Sequence, residues 1–121
     1  MKNLSRQYLE NRIMTAPQEE LLLLLIDGAI RFTEEAKVRM SESKFEEASG
    51  LFIRGQRILV ELISSLDAAK LDPQIYSNLC RLYWFVYWRL VQAGMQRDVR
   101  MADEGLQMLR KLQGMWLEAV E

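Results

Sequence analysis

Apolar residues recur at intervals of three and four along most of the chain, which is the spacing of amphipathic α-helices. No stretch shows the alternation of a strand or the turn signals of a hairpin, and only short gaps separate the helical segments. The pattern predicts helices at about 17–40, 44–68, 73–94 and 99–120. Because short connections place successive helices antiparallel, we expect an all-α fold, an antiparallel up-down four-helix bundle.

Helix-start signals support these boundaries. The predicted capping and first-turn residues are Thr15 with Pro17 and Gln18, Ser43 with Glu46, Asp72 with Pro73, and Asp98. Gly94 is expected to end the third helix. Residues 1–15 are expected to form an N-terminal arm or a short, weakly held helix, and 1–121 a single domain.

One apolar stripe on each helix is expected to form the core. The stripes are Leu22, Leu25, Ala29, Phe32 and Ala36; Ala48, Phe52, Gly55, Leu59, Leu62 and Leu66; Ile75, Leu79, Leu82, Val86 and Leu90; and Ala102, Leu106, Leu109, Leu112, Trp116 and Ala119. Two helices carry more apolar side chains than one stripe needs. The run Leu21–Ile26 places Leu23 and Leu24 away from the core stripe of the first helix.

The other overloaded segment is Leu82–Trp88, seven apolar or aromatic residues that go almost twice round a helix axis and leave no polar face. Such a helix needs cover on several sides, from the bundle and from a partner. The sequence assigns Leu82 and Val86 to the core and Tyr83 and Tyr87 to partner contact. A third stripe has no assigned role and consists of Trp84, Trp88, Val91 and Met95.

Composition argues for binding and against catalysis. The chain has no histidine, one cysteine (Cys80) and no Gly-rich phosphate loop, so we expect no enzyme, no metal site and no cofactor. Lys and Arg number 16 against 17 Asp and Glu, scattered along the chain, which disfavours nucleic-acid binding. The apolar runs are too short to span a bilayer, and the first residues lack the apolar core of a signal peptide. We therefore expect a cytoplasmic protein with no stable membrane insertion.

Several segments, in order, resemble one known family. They are Tyr8 with Thr15-Ala16-Pro17, Glu20-Leu21, 25–29 (LIDGA), 55–62 (GQRILVEL), 65–67 (SLD), Asn78-Leu79 with Leu82-Tyr83, Arg89-Leu90 with Ala93, Asp98, and Trp116 with Ala119. No single segment is diagnostic, but together they cover nearly the whole chain. On these residues the chain is similar to the FliS family of flagellar export chaperones, which are specific for flagellin.

The resemblance implies a four-helix bundle that binds the disordered C-terminal segment of flagellin in hydrophobic grooves. The chaperone would prevent premature polymerisation and deliver flagellin to an export gate component of the flagellar type III apparatus. It also implies that the arm can occupy part of the groove when the groove is empty. The matching flagellin-binding positions, as groove, groove-support, rim or arm residues, are Tyr8, Ile13, Leu22, Leu25, Ile26, Asn78, Leu79, Leu82, Tyr83, Val86, Tyr87 and Arg89.

The chain departs from the family pattern mainly by being more apolar. Trp84 stands where the family often has Asp, Trp88 where it often has Arg, Ile26 where Tyr or Phe is usual, and Gly94 where Asn is common. Two hypotheses therefore remain. The chain is an export chaperone that is a monomer or weak homodimer, or it is a non-enzymatic structural or regulatory bundle that dimerises through its aromatic face.

Overall fold

The computed structural model describes residues 14–120, and this part of the chain contains four long helices and no strand. The helices are α1 (Ala16–Ser41), α2 (Phe45–Ser64), α3 (Pro73–Gln96) and α4 (Val99–Val120). The longest connection is residues 65–72, between α2 and α3. This architecture confirms the predicted all-α helical bundle.

Local capping chemistry sets three of the four helix starts. The Thr15 hydroxyl accepts from the Gln18 N–H at 3.3 Å, while the Gln18 side chain accepts from the Thr15 N–H at 2.8 Å, which completes the predicted capping box. Asp72 Oδ1 accepts from the N–H of Gln74 at 2.8 Å, and Asp98 Oδ1 accepts from the N–H of Arg100 at 2.9 Å. These side chains satisfy N–H groups that the helix itself leaves free.

Other predicted helix ends are wrong. The capping box at Ser43 does not form. Ser43 lies in the turn with a φ of 60°, and Lys44 is the N-cap residue of α2 and makes no side-chain capping hydrogen bond. The second helix ends at Ser64 and not near residue 68. Gly94 lies inside α3, which ends at Gln96 and is followed by the C-cap Arg97, a residue in the left-handed conformation with a φ of 52°.

Each helix packs against two neighbours, and α1 closes the ring by packing against α4. The contacts run in opposite directions along adjacent helices, as antiparallel packing requires. Gly94 approaches Phe52 where α3 meets α2, and farther along the same seam a Cβ on Gly55 would lie only 3.0 Å from Leu90 Cδ1. The missing Cβ of Gly55 therefore allows these two helices to pack closely.

Ion pairs close the two seams of α4. Between α1 and α4, Glu34 pairs with Arg110 at 3.0 Å and Lys37 pairs with Asp103. Between α3 and α4, Arg89 Nε lies 2.6 Å from Glu104 Oε2. All of these side chains are partly or largely exposed, so each pair contributes little stability compared with the core.

The buried residues confirm the predicted core stripes of α2 and α4. On α1 and α3 the buried side of the helix is rotated relative to the predicted stripe. On α2 all predicted residues within the helix are buried, and on α4 all six are buried. On α1, Leu25 and Phe32 are only half-buried, and on α3 Leu82 is half-buried whereas Tyr83 is completely buried. The buried residues of the two rotated stripes are Leu22, Ile26, Gly28, Ala29, Ile30, Thr33 and Ala36 on α1, and Leu79, Tyr83, Val86, Leu90 and Ala93 on α3.

Candidate functional site

An apolar cavity of about 300 Å³ opens at the end of the bundle where α1 begins and α4 ends. It lies between the first two turns of α1 and the α2–α3 connection, and its lining residues are Met14, Gln18, Leu21, Leu22, Leu25, Ser65, Leu66, Asp67, Lys70, Leu71 and Trp116. An apolar cavity of roughly half this size can hold a benzene molecule. The cavity therefore has room for one or two large apolar side chains of another molecule.

Exposed leucines stand beside the cavity. Leu21, at its edge, is 53% exposed, and Leu24, one turn farther along α1, is 66% exposed. Together with the half-buried Leu25, they make the beginning of α1 apolar on its solvent side as well as its core side. We call this cavity with Leu21 and Leu24 the α1 apolar surface.

The rim of the α1 apolar surface is polar. Thr15 and Gln18 are engaged in their capping box, and Asp67 Oδ1 accepts from the Ala69 N–H at 2.9 Å. Lys70 adds a positive charge near the negative charge of Asp67. An apolar centre with a polar rim is the usual arrangement of a protein-binding surface.

A buried hydrogen bond connects the cavity to α3. Trp116, 2% exposed, lines the cavity and donates its Nε1–H to the Oη of Tyr83 at 3.1 Å. Burial raises the pKa of Tyr83 to about 12, although the hydrogen bond from Trp116 acts in the opposite direction. The Tyr83 hydroxyl is therefore neutral in the folded protein and serves to position Trp116 as a wall of the cavity.

The raised pKa of Tyr83 predicts a loss of stability at high pH. The unfolded chain releases this proton near pH 10 and the folded chain near pH 12. Between these values deprotonation favours the unfolded chain, so this residue should lower the free energy of unfolding by up to about 1.4 kcal/mol per pH unit. Below pH 10 it should contribute no pH dependence. Urea unfolding from about pH 9 to pH 12 would measure this slope. Tyr83→Phe should lack the contribution of Tyr83 and show a shallower slope, so equal slopes in the two proteins would contradict the account.

The predicted binding residues divide into three groups in the structure. Those in the core are Leu22, Ile26, Leu79, Tyr83 and Val86; those half-buried are Leu25, Leu82, Tyr87 and Arg89; and Asn78 is exposed. Tyr8 and Ile13 lie outside the described residues. The assignment of Tyr83 to the surface was wrong, because Tyr83 is completely buried and its hydroxyl accepts a hydrogen bond from Trp116. Leu82 packs against the core but is only half-buried. Tyr83 can support the cavity wall, but in this structure it has no exposed surface to offer a partner.

The polar residues predicted for the rim lie away from the cavity. Asn78 accepts a hydrogen bond from Gln74 on the exposed side of α3. Arg89 lies at the α3–α4 seam, where its guanidinium stacks 4.8 Å from the centre of the Phe85 ring and donates to Gln92 at 2.7 Å. Both contacts lie within α3 and hold the guanidinium in place, and Glu104 is its ion-pair partner on α4.

The sequence did not identify the cavity residues of the α2–α3 connection. Leu71 is buried, and Leu66 is half-buried just beyond the end of α2. Leu71 could have been found, because it precedes the cap Asp72, and an apolar residue before a cap commonly packs against its helix. Leu66 was predicted as the last core residue of α2. Because α2 ends at Ser64, Leu66 lies in the connection instead and lines the cavity.

The cavity is lined mainly by apolar side chains. Among residues 14–120 no three His, Cys, Asp or Glu side chains come together as a possible metal site. The Cys80 thiol is half-buried and lies outside the cavity. None of the described helices is both long and apolar enough to cross a membrane.

Fold and site together define a helical bundle with an apolar surface suited to binding a peptide segment. The family model described as "Flagellar protein FliS" matches residues 1–121. The chain is 26% identical over 114 residues to the flagellar secretion chaperone FliS of Bacillus subtilis (strain 168), covering 94% of this chain and 84% of that protein. It is 27% identical over 113 residues to the protein of the same name in Escherichia coli (strain K12), covering 92% and 82%.

A third relative is the flagellar secretion chaperone FliSB of Pseudomonas aeruginosa, 26% identical over 116 residues, which cover 96% of this chain and 91% of that protein. The chain belongs to the FliS family of flagellar proteins. This membership confirms the resemblance seen in the sequence and supports a chaperone role in flagellar export.

Proposed function

We propose that this chain is a cytoplasmic export chaperone that binds the disordered C-terminal segment of flagellin at the α1 apolar surface. Family membership supports the class of function. The observation that carries the choice of site is the pair of exposed leucines, Leu21 and Leu24, beside an apolar cavity of about 300 Å³. A folded bundle gains nothing from exposing two leucines on successive turns, whereas a partner that covers them contributes about 1 to 2 kcal/mol for each.

The binding mode follows from the shape of the surface. Leu21 and Leu24 stand on one side of α1, spaced as successive contacts for a helix laid along it. The cavity beside them accepts one large apolar side chain of that helix, against Leu22, Leu71 and Trp116. A flagellin segment with apolar residues at helical spacing would fold on this surface as it binds.

Binding at the α1 apolar surface would cover the apolar side of the flagellin segment, and this would prevent premature polymerisation. An amphipathic flagellin segment that is bound here cannot use the same apolar face to pack against other flagellin subunits. Polymerisation in the cytoplasm is thereby prevented until the complex reaches an export gate component. The proposal requires no catalysis and no cofactor, because burial of apolar area supplies the binding energy.

The remaining predicted residues extend the proposed site. Met14, the residue that follows Ile13 in the sequence, lines the cavity, and Tyr8 and Ile13 stay predicted contacts of the flagellin segment. Leu82 and Tyr87, both half-buried on α3, stay predicted contacts for other parts of the flagellin segment.

Isothermal titration calorimetry of the full chain with a synthetic flagellin C-terminal peptide tests the proposed function. We expect saturable binding of one peptide per chain with a large negative heat-capacity change, the signature of apolar burial coupled to folding. A scrambled peptide of the same composition is the control. Absence of binding, or equal binding of the scrambled peptide, would contradict the proposal.

A further inference from the structure

The outward side that α2 and α3 share carries five exposed apolar side chains, and none of them lines the cavity of the proposed flagellin site. Trp84, Trp88 and Met95 of α3 are 40%, 55% and 80% exposed, and Ile53 and Val60 of α2 are exposed to about the same degree as Trp84. We call these five residues the α2–α3 face. A large exposed apolar patch of this kind commonly marks a surface that binds a protein or a membrane.

The five residues lie on one side of the bundle. Helix periodicity and the close approach of α2 to α3 place Ile53 and Val60 on the side of α2 that adjoins α3. Arg54, the next residue after Ile53, points away toward α1, where its guanidinium lies 5.6 Å from the centre of the Phe32 ring. The three α3 members follow one another at intervals of four and seven residues, so they share the outward side of that helix. The face therefore consists of two parallel rows of apolar side chains.

Half-buried side chains lie between the two rows. Tyr87 stands between the two tryptophans and contacts each ring edge-to-face, with centroids 5.1 Å from Trp84 and 5.0 Å from Trp88. Helix periodicity places the half-buried Gln56 on the adjoining side of α2. The seam between the helices is thus occupied, and the α2–α3 face is a broad surface and not a groove. Tyr87 also holds both indoles in place, so little rotamer freedom is lost when they are covered.

Positive charge borders the α2–α3 face. α3 contains no acidic residue, and the acidic residues of α2 lie only in its first turn and at Glu61, near its end. Three exposed arginines stand around the two rows: Arg81 at one end, Arg97 at the other, and Arg57 along the α2 edge. Among residues 14–120 none of the three forms an ion pair with a carboxylate. Their charges are therefore available to an anionic partner.

We propose that the α2–α3 face binds reversibly to the surface of an anionic lipid bilayer, with α2 and α3 lying parallel to its plane. Trp84 and Trp88 enter the boundary between headgroups and acyl chains, where indole rings are commonly found. The arginines reach the lipid phosphates, while their aliphatic stems stay against apolar surface. Such binding is peripheral and needs no helix that crosses the membrane.

The shape and charge of the α2–α3 face favour a bilayer over an acidic protein segment. A helical segment is usually bound in a groove, and here Tyr87 and Gln56 occupy the seam in which it would lie. A bilayer instead offers a broad surface that covers both rows at once. The α1 apolar surface has no such excess of positive charge, because the exposed Glu20 is adjacent to Leu21 in the sequence and Asp67 lies at the cavity. An anionic bilayer therefore selects the α2–α3 face.

Vesicle flotation and tryptophan fluorescence of the full chain test the proposal. With vesicles of phosphatidylcholine containing about 40% phosphatidylglycerol, we expect the chain to float with the lipid. Tryptophan emission should move to shorter wavelength, because Trp84 and Trp88 leave water whereas Trp116 is already buried. Vesicles of pure phosphatidylcholine, or a rise to about 0.5 M salt, should weaken binding at least tenfold. No binding to the anionic vesicles, or equal binding to both kinds, would overturn the proposal.

Two pairs of variants test which side chains bind the vesicles. Trp84→Ser with Trp88→Ser should weaken binding to the anionic vesicles at least tenfold while the far-ultraviolet circular dichroism stays helical. The matched control is Val38→Ser with Leu117→Ser, because these exposed apolar residues lie on α1 and α4, and it should bind like the wild type. Equal binding by the tryptophan variant and its control would contradict the assignment of the face.

The second pair tests the arginines. Arg57→Gln with Arg81→Gln should weaken binding at least tenfold, since each arginine near an anionic surface contributes about fivefold in affinity. Arg54→Gln with Lys111→Gln removes the same charge from exposed positions that face α1 or lie on α4, and its loss should stay below about threefold. An equal loss in the two variants would show that net charge and not the α2–α3 face determines binding, which would overturn the proposal.

A competition experiment distinguishes a bilayer from an acidic protein segment. An amphipathic helical peptide of Glu, Ala and Leu should leave the chain bound to the anionic vesicles. Displacement of the chain by this peptide, with the peptide bound to the wild type but not to the Trp84/Trp88 variant, would show that the α2–α3 face docks an acidic protein segment and would overturn the proposal. None of these samples contains flagellin, so failure here and failure of the proposed function are distinguishable.

Discussion

Replacing Tyr83 with alanine is expected to lower the free energy of unfolding by about 3 to 5 kcal/mol, as for other large core residues. Tyr83 has no exposed surface, and its hydroxyl accepts the buried Nε1–H of Trp116. The substitution removes the ring and leaves that donor without its partner, which itself costs about 1 to 3 kcal/mol. Since domains of this size are stable by only about 5 to 15 kcal/mol, the variant should be close to unfolding.

Chemical denaturation followed by far-ultraviolet circular dichroism measures this loss. Tyr76→Ala is the matched control, because Tyr76 is a half-buried tyrosine two turns earlier on the same helix, and it should cost less than half as much. A loss below about 1.5 kcal/mol for Tyr83→Ala would show that Tyr83 is not a core residue. Substitutions of Tyr83 or Val86 are consequently unsuitable for testing flagellin binding, because both residues are completely buried.

Substituting Leu21 and Leu24 together with glutamine is expected to weaken binding of the flagellin peptide by at least tenfold while leaving the fold intact. Both side chains are more than half exposed, so their removal costs the free chain little stability. In the complex each would be covered, and losing about 1 to 2 kcal/mol at each site gives about a thirtyfold to several-hundredfold loss in affinity.

The control for this double variant is Val38→Gln with Val99→Gln. These valines are 53% and 44% exposed and lie at the opposite end of the bundle, near the end of α1 and the start of α4. The control should bind like the wild type in calorimetry. Unchanged affinity of a folded Leu21/Leu24 variant would place the flagellin site elsewhere on the bundle.

Helix starts and well-patterned helices were predictable from the sequence because their determinants are local. Thr15, Asp72 and Asp98 act within three residues of themselves, so spacing alone identifies them. On α4 the polar residues between the apolar ones fix which side is buried, and its predicted core stripe is correct. The family resemblance supplied the class of function, which no composition or periodicity could give.

The rotation of α3 was not predictable because its apolar run has no polar face to fix its orientation. Leu82 and Tyr83 differ by only 100° around the helix axis, and apolar character favours either one for the core. In the structure the Tyr83 hydroxyl accepts a hydrogen bond from Trp116, 33 residues away, a contact that the local pattern does not contain. The same ambiguity in Leu21–Ile26 led to Leu25 being assigned to the core, which holds Ile26 instead.

The cavity could not be foreseen either, because it forms from three distant parts of the chain. The beginning of α1, the α2–α3 connection and Trp116 of α4 meet only when the bundle is assembled. The Ser43 cap failed for a related reason. Its spacing to Glu46 fits a capping box, but the turn between α1 and α2 requires a positive φ at Ser43, so the helix begins one residue later.

The three tryptophan indole groups allow the most direct test of where flagellin binds. Trp116 lines the proposed site, whereas Trp84 and Trp88 are exposed on α3, outside the cavity. In nuclear magnetic resonance spectra of the ¹⁵N-labelled chain at fixed concentration, titration with unlabelled flagellin C-terminal peptide should shift the indole N–H signal of Trp116 most. An unchanged Trp116 signal, with the Trp84 and Trp88 signals shifting or with none shifting, would contradict binding at the α1 apolar surface.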